Sequence, residues 1–94
     1  MKLEKICEDI AEVVQDLMYG DISVSYKADI LDDILSIIGY DVAEGIEPSL
    51  DSVRETLAKL IDFQDTYDVD LISPINDLEK YIAEKDELGI EGLL

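Results

Sequence analysis

Apolar residues recur at three- and four-residue spacing in four separate stretches of this 94-residue chain, with glycine or proline marking most of the breaks between them. That rhythm places one apolar stripe along each helix, and such a stripe leaves water only by packing against another. The first stripe is Leu3, Ile6, Cys7, Ile10, Val13, Val14, Leu17 and Met18, and Gly20 is a natural stop. A second helix is expected over residues 26–38, carrying Ile30, Leu31, Ile34, Leu35, Ile37 and Ile38 inward, with Gly39 where a C-terminal cap belongs. A third starts near Pro48 or Ser49 and uses Leu50, Val53, Leu57, Leu60, Ile61 and Phe63. Ser73-Pro74 predicts a capped fourth start, with Ile75, Leu78, Tyr81 and Ile82 inward, an end near Leu88-Gly89, and a tail packing Ile90, Leu93 and Leu94 back. The expected fold is all-α, a small four-helix bundle-like single domain over residues 1–94.

Two short segments depart from the helical rhythm. Residues 21–26 alternate through Ile22, Val24 and Tyr26, and residues 67–72 alternate through Val69 and Leu71. The alternation allows a minimal two-stranded ribbon between them, or extended connections.

The chain holds 24 acidic residues against 7 basic, for a formal charge of −17. At 48 % hydrophobic content, with regular spacing, that charge describes a folded domain with an acidic skin rather than disorder. One cysteine and no histidine exclude an internal disulfide and make a zinc site implausible. Cys7 lies on the apolar face and reads as a small buried hydrophobe. Acidic residues run through what would be a signal-peptide core, and no stretch reaches membrane-span length, so a cytoplasmic protein is expected. The charge sign opposes direct contact with nucleic acid or an anionic membrane, both of which require Lys and Arg.

The acidic residues are patterned. Glu4, Glu8, Glu12 and Asp16 step by four residues along the first helix, predicting a row of charge on one face at about 6 Å intervals. This is close to the spacing of successive phosphates along a nucleic-acid strand. Asp29, Asp32 and Asp33 cluster on the second helix, and Glu47, Asp51 and Glu55 extend a further row. Such like-charge neighbours each cost a helix on the order of 0.2–0.5 kcal/mol. Helices of 14–18 residues would give a bundle about 25 Å long. The net charge of −17 over that length is about one per 1.5 Å, against one per ~1.7 Å of duplex DNA. Asp62, Asp65, Asp68 and Asp70 gather where the third helix ends, against its dipole, so a partner or solvent is expected to satisfy them.

Much chemistry is excluded by residue type. Without histidine there is no histidine-assisted serine or cysteine nucleophile, and the scattered glycines 20, 39, 45, 89 and 92 form no phosphate-cradling loop. A single Phe and no Trp leave little with which to build a sugar cleft. A helix–loop–helix calcium loop from Asp68 would place Ile72 and Ser73 at its fifth and sixth positions, where an oxygen ligand and glycine are needed. No enzyme, cofactor or metal site is expected.

Ser49-Leu50-Asp51-Ser52-Val53, then Tyr67-Asp68-Val69-Asp70, then Ile75-Asn76-Asp77-Leu78-Glu79-Lys80-Tyr81-Ile82 together resemble an acyl carrier protein over about a third of the chain. That resemblance implies a phosphopantetheine arm on Ser52. Glu47-Pro48 replace the family's usual glycine, and residues 26–38 read as a helix where the family has a long loop.

The reading these features favour is a non-catalytic protein-binding module. Its most concrete form is an acidic inhibitor of the anti-defence, anti-CRISPR class used by phages and mobile elements, occupying the basic nucleic-acid-binding groove of a target protein. Glu4, Glu8, Glu12, Asp16, Asp29, Asp32 and Asp33 would present phosphate-like charge, with Tyr19, Tyr26, Tyr40 or Tyr67 adding specific contacts. The alternatives are the carrier reading and a structural or regulatory homodimer with its acidic faces in solvent.

Overall fold

A computed structural model describes the backbone of residues 2–20 and 25–93, and the side chains of residues 3–20 and 26–85. Four helices follow one another: α1 (Lys2–Met18), α2 (Ser25–Ala43), α3 (Leu50–Tyr67) and α4 (Ile72–Leu93). Each packs against two neighbours in the ring α1–α2–α3–α4, and the diagonal pairs make no close backbone approach. Lys27 at the start of α2 reaches the Tyr67 carbonyl at the end of α3, and Ile6 of α1 lies beside Tyr81 of α4. Neighbours are therefore antiparallel, in an up-down-up-down bundle.

The core follows the apolar stripes. Leu3, Ile6, Ile10 and Val14 meet Leu31, Ile34, Ile38, Val53, Leu60, Phe63, Leu71, Ile75, Leu78 and Tyr81. Met18, at 59 % exposure, leaves the predicted first stripe because it is the last residue of α1, and Ile61 is also exposed. Ala28, Val42 and Thr56 join the buried set unpredicted. Thr56 is tolerated there because its hydroxyl donates to the Ser52 carbonyl one turn back.

Helix ends account for the other differences. Gly39 does not cap α2; the helix runs through it to Ala43. The stop is Gly45, at φ 77°, with its N–H on the Val42 carbonyl and the Ile46 N–H on the Asp41 carbonyl. That paired closure needs a left-handed residue, and glycine adopts it without a Cβ penalty. The connection predicted over residues 40–47 thus shrinks to residues 44–49. Ser49 caps α3 as predicted, accepting from the Ser52 N–H. At the far end Asp68 closes α3 in the left-handed conformation, its N–H on the Gln64 carbonyl. α4 starts one residue before Ser73: the Ile75 N–H bonds the Leu71 carbonyl, and Asp70 accepts from the Ile72 N–H. Pro74 sits within the first turn, where its missing N–H costs nothing. α4 continues past Gly89 to Leu93, and the predicted packing of the tail side chains lies outside the described residues.

No strand occurs among the described residues. Tyr67 ends α3 and Ile72 opens α4, so the second alternating segment is a tight interhelix connection. It is held by the Gln64 side chain, which accepts from the Leu71 N–H at 2.8 Å. The first segment lies outside the described residues except for Ser25 and Tyr26, which begin α2.

The bundle measures 53 × 28 × 17 Å, twice the predicted length. Its −17 charges over 53 Å give about one per 3 Å. That is close to one strand of DNA, at ~3.4 Å per charge, rather than to the duplex.

Candidate protein-binding surface

Helical geometry decides what the acidic row becomes. Four residues turn a helix by 400°, so each step rises about 6 Å and rotates about 40° right-handed. Over three steps the row sweeps about 120° around α1 instead of lining one face. Glu4 and Glu8 border the α1–α2 groove with Gly39, Val42 and Ala43. Glu12 has crossed to the α1–α4 groove, beside Asp9, Asp70 and Asp77. Glu4, Glu8, Glu12 and Asp16 are all exposed, as are Asp29, Asp32 and Asp33 on α2.

The structure does not bring Asp33 to the α1 row. Asp33 turns away from α1 and borders the groove between α2 and α3. The row predicted through Glu47, Asp51 and Glu55 is broken as well, since Glu47 precedes α3. Its Oε1 accepts from the Tyr81 hydroxyl at 2.6 Å and pairs with Lys85 Nζ at 2.8 Å, tying the α2–α3 connection to α4. The hydrogen bonds from Lys85 and Tyr81 and the Lys85 charge hold the Glu47 carboxyl below its ordinary range. Burial, then the facing carboxylate, pushes Tyr81 up to about 12.

Two of the four aspartates at the α3–α4 junction serve the backbone, Asp68 as the left-handed closure of α3 and Asp70 as the acceptor at the α4 N-terminus. Asp70 lies at the positive end of a dipole, so local structure satisfies a group predicted to need a partner or solvent.

Among the described residues, several basic side chains are engaged at helix ends or in other grooves. Lys27 donates to the Tyr67 carbonyl and lies 5.8 Å from its ring centroid, Arg54 neighbours Asp51, and Lys85 pairs with Glu47. Lys5 and Lys80 line a groove between α1 and α4. Among the tyrosines, Tyr19 and Tyr40 are 86 % and 76 % exposed. Tyr67 is committed to the core edge, 4.9 Å from Phe63, with Tyr26 edge-on to it at 6.0 Å.

Ser52, in the first turn of α3, accepts a hydrogen bond from the Ser49 hydroxyl at 2.9 Å. The long α2 precedes it, where the carrier resemblance implies a loop. Cys7 is half-buried, and desolvation raises its thiol pKa. Among the described residues, no group of three His, Cys, Asp or Glu is placed to hold a metal ion, and no helix is long and apolar enough to cross a membrane.

Sequence reasoning missed the α2–α3 groove, a concavity of about 460 Å³. Half-buried Ile30 and Ile37 line it above the buried Ile34 and Phe63, with Asp33, Glu55, Lys59 and Asp62 beside them. Ile30 and Ile37 pack against the core as the stripe predicts, with part of each side chain left in the groove. No protein-family model, curated protein or solved structure matches the chain.

Proposed function

We propose that this chain is a non-catalytic protein-binding module that presents a winding row of carboxylates to a basic, nucleic-acid-binding surface and blocks it. The observation that carries this reading is the exposure of Glu4, Glu8, Glu12 and Asp16 on a row that climbs and turns right-handed. A charged strand wound around a rod has that form, and the charge per unit length of the whole molecule is near that of one nucleic-acid strand. Opposite charge would speed encounter, and salt would weaken it.

The test is charge reversal on the row. Glu8→Lys with Glu12→Lys leaves the buried stripe untouched, so the bundle should keep its helical circular dichroism. Binding to the basic target should fall by about two orders of magnitude at low salt, the scale of a few lost charge contacts. Unchanged binding by the folded double variant would refute the role of the row.

A further inference from the structure

We infer that Tyr19 and Tyr40 are stacking anchors for a partner surface in which arginines alternate with aromatic rings, the chemistry that holds single-stranded nucleic acid. They are the most exposed large hydrophobic side chains among the described residues. The other tyrosines are engaged within the protein: Tyr26 lies edge-on to Tyr67, Tyr67 packs on Phe63, and the Tyr81 hydroxyl donates to Glu47.

One spacing places both exposed rings. Glu8, Glu12 and Tyr19 stand at positions i, i+4 and i+11 along α1, and Asp29, Asp33 and Tyr40 repeat that spacing on α2. The Tyr19 N–H still bonds the Gln15 carbonyl, so the helical path of α1 reaches it. Eleven residues turn a helix about 20° past three full turns, and seven residues stop about 20° short of two. Each ring therefore leaves its helix midway between the directions of its two carboxylates, about 16 Å beyond the first. All four carboxylates are exposed. Lys5 and Lys27, the bases of these helices whose side chains are described, are placed toward other helices, Lys5 in the α1–α4 groove and Lys27 against Tyr67 of α3.

An exposed ring beside spaced negative charge is what a single strand presents, since a duplex keeps its base faces stacked inside. Proteins that hold single strands meet phosphates with Lys and Arg, and base faces with aromatic or guanidinium planes. A tyrosine ring accepts either of those planes. A second copy of this chain could offer rings but would repeat the charge of −17, and is disfavoured. The inference rests on the reading that the partner is basic and binds nucleic acid, and adds which side chains it grips and which form of nucleic acid it holds.

The probes are two peptides of about 12 residues with equal numbers of arginines, one carrying tryptophan between them and the other alanine. Fluorescence anisotropy of a dye on each peptide reads binding at about 0.15 M salt, where long-range attraction is largely screened. The parent should bind the tryptophan peptide about tenfold tighter than the alanine peptide, and the ring resonances of Tyr19 and Tyr40 should shift. Tyr19→Ser with Tyr40→Ser should keep the helical circular dichroism and bring the two peptides to within about twofold of each other. Ile61→Ser, at an exposed apolar position on α3, should leave the preference intact.

Equal binding of the two peptides by the parent, or a tryptophan preference that survives the loss of both rings, would overturn the inference. Glu8→Lys with Glu12→Lys separates it from the reading it rests on, because that variant should weaken both peptides alike. If it does so while the tryptophan preference is absent, the anchors fail and the carboxylate row stands. If it leaves both peptides unchanged while the preference persists, the row fails and the anchors stand.

Discussion

α2 has a groove on each side, and the two are unlike. Toward α1 the lining is Gly39, Val42 and Ala43 against Cys7, with Glu4 and Glu8 at the edge. Toward α3 it is three isoleucines and a phenylalanine, with Asp33, Glu55, Lys59 and Asp62 around them. Small residues let α1 and α2 approach closely, and theirs is the most extensive helix contact in the bundle. Toward α3, Ile34 and Phe63 are buried in the core, while Ile30 and Ile37 are half-buried against it. The same helix thus borders small and apolar residues with two glutamates on one side, and larger apolar residues with a mixed set of charges on the other.

The sharpest way to break this contrast is to truncate one residue from each side. Phe63→Ala removes a fully buried ring and should cost about 3–5 kcal/mol. Cys7→Ala removes one half-buried sulfur and should cost under about 1 kcal/mol. Urea unfolding followed by circular dichroism reads both, and equal losses would show that the two grooves are packed alike.

The glycines of α2 sharpen it next. A Cβ on Gly39 would meet the Leu35 side chain at 3.7 Å, an ordinary contact. Gly39→Ala should therefore stabilise the bundle by about 0.5–1 kcal/mol through helix propensity alone. Gly45 has open space but a φ of 77°, so Gly45→Ala should destabilise by about 1–2 kcal/mol. Opposite shifts in Tm are the expected result, and two shifts of one sign would contradict the assignment of the helix end.

Glycine chemistry also shows what the sequence could and could not disclose. Both Gly39 and Gly45 are punctuation by composition, and the apolar rhythm of α2 weakens after Ile38, so the earlier glycine looked like the stop. Val42, buried one turn further on, was the available signal that the helix continues. The four helices, the Ser49 cap and nearly all of the core were legible because each rests on local periodicity or local hydrogen bonding. The groove was not, because Ile30 and Ile37 belong to the apolar stripe however much of each side chain a neighbour covers. The acidic row was legible as a list of residues, yet its 40° step separates Glu4 from Glu12 and assigns them to different grooves.

The smallest effect concerns the connection that joins the two walls of the α2–α3 groove. Glu47 is lowered from its ordinary value of 4.5 by Lys85 and Tyr81. A depressed carboxyl stabilises the fold above its unfolded pKa, and that contribution is lost as pH falls through the folded value. Glu47→Gln should thus be less stable than the parent at pH 7, and the gap should close below pH 4.5. Tyr81 has the reverse dependence. Its pKa is raised from 10.0 to about 12, so its contribution is present below pH 10 and disappears between pH 10 and 12. Thermal melts of parent and variant across these ranges check both signs.

The central claim, that the carboxylate row engages a nucleic-acid-binding surface, is tested most directly by competitive capture. Parent protein and the Glu8→Lys, Glu12→Lys variant are immobilised side by side and exposed to host lysate, with and without added DNA or RNA. Retained proteins are identified by mass spectrometry. The account predicts one basic, nucleic-acid-handling protein on the parent, displaced by the added nucleic acid and absent from the variant. Retention of the same proteins on both, indifferent to nucleic acid, would contradict it.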